Sequence, residues 1–114
     1  MQYKNKIAVA AHRGNSRFYP ENTLAAFRSA IELGVDMVEI DLHMTKDGEL
    51  ILMHDHTVDR TSDGQGLIRE KSLAEMKALD VGGWKNEKFK GERVPTFREF
   101  LELFRDQDEM LSNI

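Results

Sequence analysis

An α/β fold opening on a parallel strand–helix–strand unit is what this sequence predicts, and three observations carry it. A short apolar run, residues 7–11, ends at His12-Arg13-Gly14. A segment of helical spacing follows it. Residues 37–44 then read as a second strand. Strand, helix and strand in succession are joined by a right-handed crossover, and such architectures carry functional residues at the C-terminal ends of their strands.

Each element has a local reason. Residues 7–11 are the compact apolar run that a parallel sheet buries on both faces. Asn22 is a residue type suited to capping a helix, after which Leu24, Phe27, Ala30 and Ile31 recur at helical spacing up to Leu33-Gly34, where glycine ends it. Val35, Met37, Val38, Ile40 and Leu42 give the second strand a buried character. Lys46-Asp47-Gly48-Glu49 then signals a hairpin, because Asp-Gly favours a two-residue turn. Counting outward pairs Lys46 with Glu49, Met44 with Ile51, Leu42 with Met53 and Asp41 with His54, and a bulge would shift this register by one. Residues 57–66 are a polar, glycine-containing loop. Ser72-Leu73-Ala74-Glu75 has the form of a capping box for a short helix through Leu79. Residues 81–93 are loop. Thr96-Phe97-Arg98-Glu99, preceded by Pro95, is a second capping box, and its helix carries Phe97, Phe100, Leu101 and Phe104 on one face. Residues 110–114 look like the start of a third strand.

The bulk composition narrows the function. A chain of 114 residues allows one domain. With 40% hydrophobic and 32% charged residues it is an ordinary globular composition. A net charge of -4 speaks against a broad nucleic-acid face, which needs basic excess. The absence of cysteine removes any disulfide scaffold or thiolate metal site and favours a cytoplasmic setting. The first apolar run is too short for a signal-peptide core and far short of the roughly 20 residues of a membrane helix, so no transmembrane segment is expected.

Glu39 and Asp41 stand two apart on a strand and so share a face. Like charges side by side repel unless solvent or a cation lies between them. A polar strand edge is one reading; the apolar flanks favour the other, a hard-oxygen site for Mg²⁺ or Ca²⁺. His43 completes the same-face row but is left outside the ligand set, as a lone strand histidine is more often a hydrogen-bonded surface residue. His12 and His54 are suited to general acid and base duty near neutral pH. Arg13 offers a planar fork for phosphate. Acid, base, phosphate clamp and hard cation together are what metal-assisted cleavage of a phosphodiester needs. Asp59 to Glu70 nearly fits a calcium-loop pattern. Thr61 occupies a position that prefers Asp or Asn, and residues 50–53 read as strand where an entering helix is required, so a polar loop is the better reading.

In this order, His12-Arg13-Gly14, Pro20-Glu21-Asn22-Thr23, Glu39-Ile40-Asp41, Thr45-Lys46-Asp47-Gly48, His54-Asp55, Asp59-Arg60-Thr61 and Gly91-Glu92-Arg93-Val94-Pro95-Thr96 resemble the glycerophosphodiester phosphodiesterase family. The resemblance implies a (β/α)₈ TIM-type barrel, phosphatidylinositol-phosphodiesterase-like, with a small hairpin after the second strand. It also implies hydrolysis of a small-molecule glycerophosphodiester to glycerol 3-phosphate and an alcohol with a divalent cation, Mg²⁺ or Ca²⁺, with Mn²⁺ a third option. On this chain His12 and His54 resemble the acid/base pair, Arg13 a phosphate ligand, Glu39 and Asp41 two of three protein metal ligands, and Glu21 a residue supporting Arg13 or the metal-side network. The family's third acidic ligand stands in a run commonly reading Asn-Ile-Glu, and this chain reads Ser112-Asn113-Ile114. Since such a barrel takes about 250 residues, residues 1–114 are expected to be the N-terminal part of a phosphodiesterase domain that continues beyond Ile114. An open sheet edge then invites self-association. Two other readings stand beside this one. One is phospholipase- or sphingomyelinase-D-like cleavage at a membrane, ranked lower for want of cysteines and an export signal. The other is a non-catalytic half-barrel, if the chain ends at Ile114.

Overall fold

The structure is a computed structural model and describes residues 10–112. Strand β1 (Ala10–His12) pairs in parallel with β2 (Met37–Glu39), in the register Ala10–Met37, Ala11–Val38, His12–Glu39. Residues 7–9 of the expected first strand lie outside the described residues. Helix α1 (Leu24–Glu32) makes the crossover. Its cap is Thr23, not Asn22: Thr23 Oγ1 accepts from Ala26 N at 3.2 Å and donates to the Pro20 carbonyl at 2.7 Å. Asn22 adopts a left-handed φ of 57° and turns its amide elsewhere. The C-terminus closes as expected, with Gly34 N donating to the Ile31 carbonyl at 3.0 Å.

Residues 37–44 form two strands where one was expected. β2 ends at Glu39, and β3 (Leu42–Met44) belongs to an antiparallel hairpin with β4 (Leu50–Leu52). The break has a hydrogen-bond cause: the Glu39 carbonyl accepts from Arg13 N at 2.8 Å, while the Asp41 carbonyl accepts from Met53 N at 3.0 Å. One end of the segment is thereby committed to β1 and the other to β4. The pairing is Leu42–Leu52, His43–Ile51 and Met44–Leu50, one residue from the two-residue-turn count. Thr45 N donates to the Glu49 carbonyl at 2.9 Å, leaving a three-residue loop closed by Gly48 at φ 85°. That is the bulged hairpin type, in which the left-handed position suits glycine. Asp41 therefore faces Met53, not His54.

Strand β4 organises the core because its alternating side chains enter two clusters. Ile51, fully buried, joins Met53, Val58, Ile68, Met76, Val81 and Val94. Leu52, 1% exposed, joins Phe27 of α1 and Phe100 of the last helix, whose rings meet edge-on at 4.9 Å. Each such buried side chain contributes about 1.5–3 kcal/mol relative to exposure. The second strand is not buried as its composition suggested: Met37 is 48% exposed and Met44 56%. Among the described residues β2 has a strand neighbour on one side, β1, and its apolar side chains meet no second sheet partner.

Both capping boxes form. Ser72 and Glu75 exchange bonds at the start of α2 (Leu73–Lys77), which stops two residues short of the expected Leu79. Thr96 and Glu99 do the same at the start of α3 (Phe97–Ser112), and Glu99 also pairs with Lys77. Phe97, Phe100 and Phe104 share a face as expected and belong to the cluster of Phe27 and Leu52, whereas Leu101 is 49% exposed. α3 continues through residues 110–112, where a third strand was expected; Asn113 and Ile114 lie outside the described residues. Adding a residue to a helix already formed brings its own backbone bond, while a strand there needs a neighbouring edge.

Candidate active site

The tip of β1 is conformationally unusual. Arg13 has φ 58°, a left-handed value that costs an ordinary residue about 1–2 kcal/mol. Two backbone bonds hold it there, Arg13 N to the Glu39 carbonyl at 2.8 Å and Asn22 N to the Arg13 carbonyl at 2.9 Å. Strain maintained at a strand tip is a mark of functional sites. Gly14, at φ 81°, follows, and a side chain there would meet Ala26 Cβ at 2.8 Å, so glycine lets α1 seat against the tip.

Arg13 reaches two carboxylates. Nη1 donates to Glu21 Oε2 at 3.3 Å, and Nε lies 3.2 Å from Asp41 Oδ2. The second contact is an ion pair without hydrogen-bond alignment, leaving Nε buried and without a hydrogen-bond partner. Asp41 Oδ2 also accepts from Asn22 Nδ2 at 3.1 Å, and Asp41 N donates to Asn22 Oδ1 at 3.4 Å. Asn22 thus orients the carboxylate that the broken strand no longer aims. The sequence predicts a helix cap at Asn22; the left-handed φ, which asparagine tolerates, frees its amide for Asp41 instead.

Glu21, its side chain only 9% exposed, links this half to the other. Arg60 grips it through two bonds, Nη1 to Oε1 at 3.0 Å and Nη2 to Oε2 at 2.9 Å. Arg60 also holds Asp55, with Nε to Oδ2 at 3.0 Å and Nη2 to Oδ1 at 3.1 Å. Asp55 in turn accepts from His54 Nδ1 at 2.7 Å. Hydrogen bonds from Arg60, and then from His54, hold the Asp55 carboxyl far below the usual carboxylate range. Hydrogen bonds to Asp55, and then to Glu21, push the Arg60 guanidinium above its usual value. Arg60 and Asp55 were visible in the sequence only as members of quoted motifs. His43 Nε2 donates to the His54 carbonyl at 2.9 Å and its ring meets His56 edge-on at 4.8 Å, the hydrogen-bonded role expected of a histidine outside the ligand set.

Of the sequence-derived site residues, Arg13, Glu21 and Asp41 come together directly, and His54 joins them through Asp55 and Arg60. His12 and Glu39 are cross-strand neighbours at the end of the parallel pair, both exposed. Glu39 and Asp41 offer carboxylate oxygens, the donor chemistry that suits a hard divalent cation, and the Asp41 carboxylate is paired with Arg13 Nε in this arrangement. Among the described residues no group of three or more His, Cys, Asp or Glu side chains is arranged to hold an ion. A small cavity of about 10 Å³ between Glu21, Asn22, His54 and Thr61 has room for about one water. The calcium-loop pattern is spent internally: Asp59 Oδ1 accepts from Gly66 N at 3.0 Å, within a loop entered from strand β4.

A parallel pair, its crossover helix and a hairpin, with arginine, carboxylates and histidine near the strand tips, match the N-terminal part of a TIM-type barrel, as expected. The chain belongs to the glycerophosphoryl diester phosphodiesterase family, whose model matches residues 12–114. The glycerophosphodiester phosphodiesterase of Caldanaerobacter subterraneus subsp. tengcongensis is 50% identical over 107 residues, covering 94% of this chain and 44% of that protein. The crystal structure of glycerophosphodiester phosphodiesterase from Agrobacterium tumefaciens superposes with a TM-score of 0.84 at 41% identity, over 87% of this chain and 43% of that one. An Oleispira antarctica phosphodiesterase, solved in complex with the product sn-glycerol-3-phosphate, gives 0.85 at 42% identity, over 91% and 42%. The chain thus spans less than half the length of these relatives. No described helix is long and apolar enough to cross a membrane.

Proposed function

We propose that this chain supplies the His-, Arg- and carboxylate-bearing part of a metal-dependent glycerophosphodiesterase that releases glycerol 3-phosphate and an alcohol. The observation that carries the reading is the family membership, together with a relative of 42% identity solved with sn-glycerol-3-phosphate. Arg13 binds the phosphodiester. One histidine of the pair His12 and His54 takes the proton of the neighbouring glycerol hydroxyl, whose oxygen attacks phosphorus. The bond to the departing alcohol breaks, and the other histidine protonates that oxygen. Water, deprotonated in turn, opens the cyclic phosphate to glycerol 3-phosphate. The His54 Nδ1 bond to Asp55 leaves Nε2 as the nitrogen free for proton transfer. Glu39 and Asp41 would hold the cation, Mg²⁺ or Ca²⁺ with Mn²⁺ as the alternative, which would neutralise charge developing on the phosphoryl oxygens.

The test is release of glycerol 3-phosphate from glycerophosphocholine by the intact protein, with each cation and with EDTA. Release that requires a cation is expected; none with any of the three refutes the reading. His12→Ala and His54→Ala should each lower kcat by about 10²–10⁴-fold. Undiminished turnover in the double variant removes both residues from the mechanism.

A further inference from the structure

The loop at residues 57–66, plain in sequence, carries the residue that joins the two halves of the site. Arg60 uses both edges of its guanidinium: Nε and Nη2 bind Asp55, and Nη1 and Nη2 bind Glu21, in four contacts of 2.9–3.1 Å. We propose that Arg60 is a positioning residue for the reaction, fixing the Asp55 carboxylate against His54 Nδ1 and tying that dyad, through Glu21, to Arg13. The catalytic consequence rests on the phosphodiesterase reading above; the positioning itself does not.

An exposed ion pair alone adds little, since two flexible side chains lose freedom for a screened attraction. Two observations set Arg60 apart from that case. Its neighbours Val58 and Thr61 are buried, at 0% and 4% exposed, so the backbone delivering the side chain is anchored. Val58 N also bonds the Gly66 carbonyl at 2.9 Å and Ser62 Oγ bonds the Val58 carbonyl at 2.6 Å, closing the loop beneath it. Each carboxylate is held bidentately, which fixes its plane as well as its distance. Asp55, next to His54 in the chain, otherwise has a free rotor, and the proton on Nδ1 depends on where that carboxylate stands. Lysine keeps the charge but presents a single ammonium in place of two edges.

The experiment compares Arg60→Lys and Arg60→Gln with the unaltered protein. The first readout is the ¹⁵N shifts of the His54 imidazole in its neutral form; the second is kcat and KM on glycerophosphocholine. The unaltered protein should carry the His54 proton on Nδ1. Both variants should shift it toward Nε2 and lose about 10- to 100-fold in kcat, with KM little changed. Wild-type tautomer and wild-type kcat in Arg60→Lys overturn the proposal, because charge without the fork would then suffice. If Arg60→Gln does not fold, Arg60→Lys decides alone. If the unaltered protein shows no hydrolysis, the phosphodiesterase reading fails while the tautomer still settles the positioning: a shift supports it and no shift overturns it.

Discussion

Replacing Asn22 by alanine removes two separable things, a side-chain amide and a tolerance for left-handed backbone. The amide donates to the Asp41 carboxylate at 3.1 Å from a residue 2% exposed. A hydrogen bond to a charged group of this kind contributes about 1.5–3 kcal/mol. The φ of 57° costs alanine about 1 kcal/mol more than asparagine. Asn22→Ala should therefore destabilise by about 2.5–4 kcal/mol, and Asn22→Gly, which loses the amide but accepts the backbone, by about 1.5–3 kcal/mol. Urea unfolding of the intact protein, followed by circular dichroism with m-values compared, reads both differences. Wild-type stability in Asn22→Gly would show that the bond to Asp41 contributes nothing. Equal stability of the two variants would refute the backbone argument.

Gly14→Ala should cost about 2–4 kcal/mol in the same assay, from a left-handed φ and a Cβ 2.8 Å from that of Ala26; a loss under about 1 kcal/mol refutes it. The Asp55 carboxyl is depressed on folding, so its contribution is fully present above the unfolded value of about 3.9 and lost as pH falls toward the folded one. Asp55→Asn should thus carry a constant penalty between about pH 5 and 7 that shrinks below about pH 4, and a penalty growing in acid would refute the sign. Burial pushes the Glu92 carboxyl up, so its folded form is favoured below the unfolded value of about 4.3 and loses stability as pH rises through the folded one. Glu92→Gln should accordingly gain on the parent protein between about pH 4 and 7, read as paired urea midpoints.

Local chemistry was legible wherever a short segment determines its own structure. Both capping boxes, the glycine stop after α1 and the aromatic face of α3 follow from residues within a turn or two of one another, and the parallel unit follows from the order strand, helix, strand. The site residues were legible as residue types at strand tips. The hairpin register failed for a definite reason: Thr45 pairs with Glu49, and a three-residue loop with a left-handed Gly48 replaced the two-residue turn. The role of Asn22 was hidden because a cap and a carboxylate ligand look alike in sequence; Thr23, one residue on, took the cap.

Read alone, the sequence yields an inventory: the first parallel unit, the hairpin and the helix starts, the end of the strands that carries chemistry, and the family that the motif string resembles. Tertiary structure decided the connections. Residues 37–44 split because β1 and β4 compete for their backbone groups, and that competition exists only once both strands are in place. Arg60 meets Glu21 across 39 residues of chain, a pairing no local pattern encodes. Hydrogen bonds between distant segments depend on where packing of the Ile51 and Leu52 clusters carries each loop, and periodicity along the chain holds no record of that.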